Sequence, residues 1–306
     1  MAKVNKRTVL ICVGVFLLGL IFMFPLQNLK GLIFQKVFEQ SGVLIVAEEI
    51  YPVFLGWPGV GLKNANVTLP VGEGSDIGLS SKTVTLRLRL MSSLVPGVSL
   101  ALDELKGGGD LFIRFGQKGP LLNLGLDSKE LNLSQIRIPG LGSSIEGVLK
   151  SDIDLKYNDQ VFSETKGSLR LKGTQIKLPA ILVNNPMLGP PFQIPELVAG
   201  DLDVKVSIKD GNMAIQSFSL GNKNTDVSGS ILGEAKLGTR PGETQINLTL
   251  KISFSPKILE NQEYKTFLDF LGAYRTATAG EYAMNWTASI NEILNLTKAL
   301  PSPLRQ

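Results

Sequence analysis

The chain has 306 residues, with 31 Lys and Arg against 27 Asp and Glu, no histidine and one cysteine. Lys3, Lys6 and Arg7 stand at the start, so the remainder is close to neutral and offers no basic cluster of the kind that reads nucleic acid. Without histidine there is no Ser-His-Asp or Cys-His nucleophile system and no histidine metal ligand, and the lone Cys12 can form neither an intrachain disulfide nor a thiolate cluster.

In chain order the first element is an apolar run. Thr8 to Leu26 is uncharged over 19 residues. As a helix it would span roughly 28 Å, about one hydrocarbon core. Leu10, Ile11, Val13, Phe16, Leu17, Leu18, Leu20, Ile21 and Phe22 supply its bulk. The run exceeds the roughly 7–15 apolar residues of a cleaved signal, and no A-x-A-like site follows, so a retained signal anchor is expected. The preceding cations place the N-terminus in the cytoplasm and the rest of the chain across the membrane. Residues 28–42 follow with Leu29, Leu32, Ile33 and Val37 at helical spacing, ended by Gly42, and predict a short juxtamembrane helix.

From Val43 onward strand patterns dominate. KTVTLRLRLM alternates Val84, Leu86, Leu88 and Leu90 with polar residues, and a GGG turn separates VSLALDELK from DLFIRFG. SKELNLSQIRIPGLG reads equally as a short helix or an irregular crossing. A second block begins near Ser144, giving sub-blocks 43–143 and 144–306. Pro179 to Pro195 is too proline-rich for a central strand and reads as a loop or short helical detour. In the next stretch Asp210-Gly211 predicts a hairpin, and a phase shift between Ile215 and Phe218 predicts a bulge. ETQINLTLKISF, residues 243–254, alternates most cleanly. SPKILENQEYKTFLDFLGAYR then changes to helical period for about four turns, EYAMNWTASI forms a last strand, and NEILNLTKAL a short terminal helix.

The fold class is therefore mainly β: one N-terminal transmembrane helix, then a large antiparallel sheet with a few short helices. Closure into a barrel, pairing as a sandwich, and an open, curved groove all remain compatible with the alternation. A groove would present Leu202, Val204, Val206, Ile208, Val227, Ile231, Leu237, Ile246, Leu248, Leu250 and Ile252 on one face. Of the carboxylate pairs Glu48/Glu49, Asp103/Glu104, Asp152/Asp154 and Asp201/Asp203, the last two fall on the opposite, wet face and show no calcium-loop spacing. The GWPGVG and GLGSSIEG glycines read as turns, and Phe54 and Trp57 as packing at a sheet end or as contacts with the membrane interface. No catalytic residue, cofactor or metal is expected, and the chain reads as a non-enzyme.

The start FPLQNLKGLIFQKV after a single span resembles the type II secretion system protein N family. So do IYPVFLGWPGVGLKNANVTLP, DGNMAIQSFSLGNKNTDVSGSILGEAKL, NLTLKISFSP and the closing GEYAMNWTASI. That resemblance implies a single-pass protein of the bacterial inner membrane with its bulk in the periplasm, working by contact with other type II secretion subunits. The recurring Leu-x-Leu and Gly-turn texture is also similar to the AsmA-like superfamily. This implies phospholipid or another lipid on the apolar face of a curved sheet.

Overall fold

A computed structural model of the chain describes residues 26–41, 43–53, 59–70, 76–89, 97–106, 108–118, 120–135, 144–158, 160–183, 192–222, 224–294 and 301–304. The expected anchor lies outside the described residues except for Leu26, as do Phe54 and Trp57. Among the described residues no helix is long and apolar enough to cross a membrane.

Helix α1 (Leu26–Ser41) covers the juxtamembrane segment. Its first turn is tied to the chain that follows. Lys30 Nζ donates to the carbonyls of Ala47 and Glu48 at 3.1 and 3.0 Å, and Gln27 both donates to Glu48 O and accepts from Ile50 N–H. These bonds hold α1 against β1 (Leu44–Val46) and β2 (Glu49–Val53), which share one edge of β3 (Gly59–Pro70).

The sheet then proceeds as an antiparallel meander through β4 (Asp76–Arg89), β5 (Gly97–Leu105), β6 (Asp110–Lys118), β7 (Leu121–Asn132), β8 (Glu146–Asn158) and β9 (Lys166–Leu178). The pairing of β7 with β8 carries it across the boundary between the two sub-blocks without a break. The first half of the stretch that read as helix or crossing completes β7 and makes one 3-10 turn, Leu133–Gln135; residues 136–142 lie outside the described residues.

The flanks of the proline-rich detour pair with each other as short strands, and residues 184–191 between them lie outside the described residues. These strands, β10 (Ile181–Val183) and β11 (Phe192–Ile194), form a separate two-stranded sheet. β9 therefore pairs with β12 (Leu197–Lys209), which continues to β13 (Asn212–Leu220), β14 (Val227–Lys236), β15 (Gln245–Phe254), β16 (Glu281–Ser289) and the short β17 (Ser302–Pro303). Among the described residues this makes a 15-stranded sheet in which no ladder joins β16 or β17 back to β1, β2 or β3.

Two local expectations are met at atomic detail. Asp210 and Gly211 both have positive φ (50° and 78°), the conformation of a two-residue hairpin turn whose twist matches the strands. The register of β12 on β13 shifts between Lys205 and Val206, which skips Gln216 and makes the bulge. Gly211→Val puts a β-branched residue at positive φ, with its Cβ 3.0 Å from Ser163 O. The expected outcome is a loss of about 1–2 kcal/mol, read as a lower urea midpoint at unchanged slope.

The late helix is broken. α2 (Pro256–Glu260) stops at Asn261, whose backbone is extended (φ −83°, ψ 122°) and whose side chain accepts Glu263 N–H at 2.9 Å. A 3-10 turn then leads into α3 (Lys265–Phe270) and a second 3-10 turn, Leu271–Tyr274. Helix α4 (Ile290–Leu294) closes the last long strand.

Buried apolar side chains form two clusters. The first gathers Leu62, Val84, Leu102, Leu111 and Leu131 under Ile33 and Phe34 of α1. The second gathers Val227, Phe254, Tyr282 and Met284 under Ile258, Tyr264, Leu268 and Leu271, with Ile194 packed against it.

Candidate functional site

Residues paired directly across an antiparallel ladder share a face. Following the pairs from β3 to β16 traces one row: Val60, Leu86, Leu100, Ile113, Leu126, Ile153, Leu169, Val206, Ile215, Gly233, Leu248 and Trp286. At ~4.8 Å per strand the row is roughly 50 Å long. The next row toward the turn at Asp210-Gly211 contains Val98, Phe115, Leu124, Leu155, Ile208, Met213 and Ile246.

No side chain of the long row is buried. Along β4 and β5 exposure rises steeply on this one face, from 2% at Val84 and 1% at Leu102 to 42% at Leu86. Phe115 and Leu124, one row further, are 46% and 37% exposed. Both buried clusters lie on the other side of the long row, where α1, β11, α2 and α3 cover the sheet. The same face is thus a covered core along one margin and an uncovered apolar surface along most of the rest; beyond the long row, at the ends of β14 and β16, it is closed again, with Ala235, Leu237 and Ala288 buried. Ser128 and Ser151, which interrupt the covered margin, are buried and hydrogen-bond to each other at 2.8 Å.

The opposite face is polar and ion-paired. Arg114 meets Asp127 at 2.9 Å, Lys82 meets Glu104 at 2.8 Å, Lys177 meets Glu146 at 3.0 Å, and Asp152 stands opposite Arg170 in the ladder. These pairs are solvent-exposed and add little stability. Burial, then the carboxylate of Asp110, raises the Asp103 carboxyl above its ordinary value, and its side chain lies on this wet face opposite Thr83. Among the described residues no three His, Cys, Asp or Glu side chains come together as metal ligands.

The predicted groove residues all fall on the apolar face. Val206 and Leu248 lie in the long row and Ile208 and Ile246 in the next. Leu202, Ile231, Leu250 and Ile252 are half-buried toward the covered margin. Val204, Val227 and Leu237 are packed as core, at 8%, 5% and 7% exposure. Val204 sits between Leu171 and Phe218, Val227 beside Phe254, and Leu237 beyond Ala235 where its N–H bonds Gly211 O.

Where the uncovered face meets the second cluster there is a cavity of about 290 Å³. Phe218, Leu220, Ile231, Leu250 and Ile252 make its floor, and Ile181, Ile194 and Phe267 stand over it. The Tyr264 hydroxyl donates to Glu196 O at 2.7 Å, which ties the helical cover to the start of β12, and burial raises its pKa above the ordinary tyrosine value. Ile181, Ile194 and Phe218 escape sequence reasoning because the strands that carry the first two are three residues long, too short to alternate, and Phe218 follows a bulge, whereas Phe267 falls on the apolar side of the late helix that the sequence shows. No family model, curated protein or solved structure matches this chain.

Proposed function

We propose that the protein is a non-enzymatic, membrane-anchored module that binds lipid acyl chains along the apolar face of an open, curved sheet. The observation that carries this reading is the long row of apolar side chains from β3 to β16, none of them buried. Its interior backbone N–H and C=O groups are spent in the ladders on both sides. An occupant would find apolar surface and no hydrogen-bonding partner there. A peptide backbone laid on such a floor would leave its own polar groups unpaired, at a cost of order 1–3 kcal/mol each. A hydrocarbon chain has none to lose, and each methylene buried contributes about 0.8 kcal/mol. Soluble proteins rarely leave so long an apolar surface without an occupant.

The test is photo-crosslinking in cells with the full chain. A photoreactive phenylalanine analogue at Leu100, Leu126 or Leu169 is expected to capture phosphate-labelled phospholipid, and at Lys150 or Lys172 on the wet face it is not. Equal labelling on both faces, or none on the floor, removes the reading.

The resemblance to the type II secretion system protein N family supports a second reading, an accessory secretion component of the bacterial inner membrane. Here the supporting observation is the group of exposed apolar residues that follow the expected anchor in sequence: Leu32, Phe38, Leu44 and Val46. This reading expects loss of type II substrate export when the chain is deleted, and export restored by the wild-type chain but not by a Leu32→Asp, Val46→Asp variant. Unimpaired export in the deletion strain discards it.

A further inference from the structure

We infer that the cavity under the β10–β11 hairpin is an end pocket that receives the terminal segment of a single acyl chain. This inference rests on the acyl-chain reading of the apolar face and adds a defined stopping place to it. The cavity floor is formed by Phe218, Leu220, Ile231, Leu250 and Ile252, side chains of the same face as the long row, so a chain lying on that face reaches it without crossing a polar barrier. Ser228, Ser230 and Lys251 also border it, but the ladder register puts their side chains on the wet face.

Two features select a chain terminus. Past Ile252, at the end away from the long row, Phe254 meets Phe267 of the cover edge to face with ring centres 5.7 Å apart, a bulky stop for a chain entering from the row. The volume of about 290 Å³ lies at the low end of small-molecule pockets, enough for the distal part of one chain but not for a headgroup and two chains. A headgroup would also find no cationic or hydrogen-bonding side chain among the floor residues.

The experiment uses the full chain in phosphatidylethanolamine–phosphatidylglycerol vesicles. These contain phospholipid carrying a photoreactive diazirine either at the acyl terminus or next to the ester. Crosslinked peptides are mapped by mass spectrometry. Terminal diazirine is expected on Leu220, Ile231, Leu250 or Phe267, and ester-side diazirine on the long row instead. Ile231→Trp, with Leu250→Phe as a milder filling, is expected to lower the terminal crosslink about ten-fold, the equivalent of roughly two methylenes denied burial. Crosslinks on Leu126 and Leu169 should be unchanged in those variants. Long-row crosslinks with none in the cavity, or cavity crosslinks insensitive to filling, overturn the end pocket while leaving acyl-chain binding in place. No crosslink on either surface overturns both.

Discussion

Leu126→Glu is expected to abolish lipid capture by the apolar face while leaving the fold intact. Leu126 lies midway along the long row, paired with Ile113 and Ile153, and it is half-buried. In the lipid-free protein the new carboxylate reaches water from the uncovered side, so the stability loss stays near ~1 kcal/mol. Under an acyl chain the same carboxylate must either give up its hydration, at several kcal/mol, or take up a proton. Capture at neighbouring Leu169 should therefore fall by more than about a hundred-fold, the equivalent of roughly 3 kcal/mol. Leu126→Lys should be milder, because a lysine can lay its stem on the apolar surface and extend its ammonium to water. Lys150→Glu, on the wet face of the adjoining strand, is the control and should change nothing. Undiminished capture in Leu126→Glu would show that the long row is not where lipid lies.

Truncating Ile258 should cost far more stability than truncating a long-row leucine, although both remove comparable apolar bulk. Ile258, on α2, is 1% exposed and packs in the cluster with Val227, Phe254 and Tyr282 of β14–β16. Ile258→Ala leaves a cavity among Phe254, Tyr264 and Tyr282, for an expected loss of about 2–5 kcal/mol. That is a large share of the ~5–15 kcal/mol by which domains are stable. Leu169→Ala removes a side chain with no layer above it, creates no enclosed void, and should cost about 1 kcal/mol. Pulse proteolysis of the full chain in isolated membranes reads both. Equal losses at the two sites would mean that the long row is covered in the native protein, and the acyl-chain reading would lose its basis.

The two experiments separate questions that alternation alone leaves joined. ETQINLTLKISF shows its period directly: Ile246, Leu248, Leu250 and Ile252 share a face, and β15 realises that pattern residue for residue. The hairpin at Asp210-Gly211 was equally legible, because a positive-φ turn demands residues that name themselves. The late helix was legible in type but not in continuity. Its apolar spacing survives the break at Asn261, since the residues on either side still reach the same cluster. The hairpin over the cavity was not legible, because three-residue strands among prolines carry too few positions to show any period.

The sequence by itself determined that most strands have one oily and one wet side, that the chain turns at Gly108-Gly109 and at Asp210-Gly211, and that no histidine or cysteine chemistry is available in the body, whereas Gly59, Gly61 and Gly147, expected in turns, lie within β3 and β8. Two things belonged to the tertiary structure. One was the alignment of the oily sides into a single row across the meander. A slip of one residue in any ladder would turn a strand over, and register is set by pairing between strands rather than by the pattern within one. The other was which part of that row is covered. Val84 and Leu86 are two residues apart, both apolar and on one face, yet they are 2% and 42% exposed. What separates them is where α1, the β10–β11 hairpin and the broken helix come to rest. Those elements are held by non-local contacts such as Lys30 to Ala47 O and Tyr264 to Glu196 O, which no local periodicity encodes.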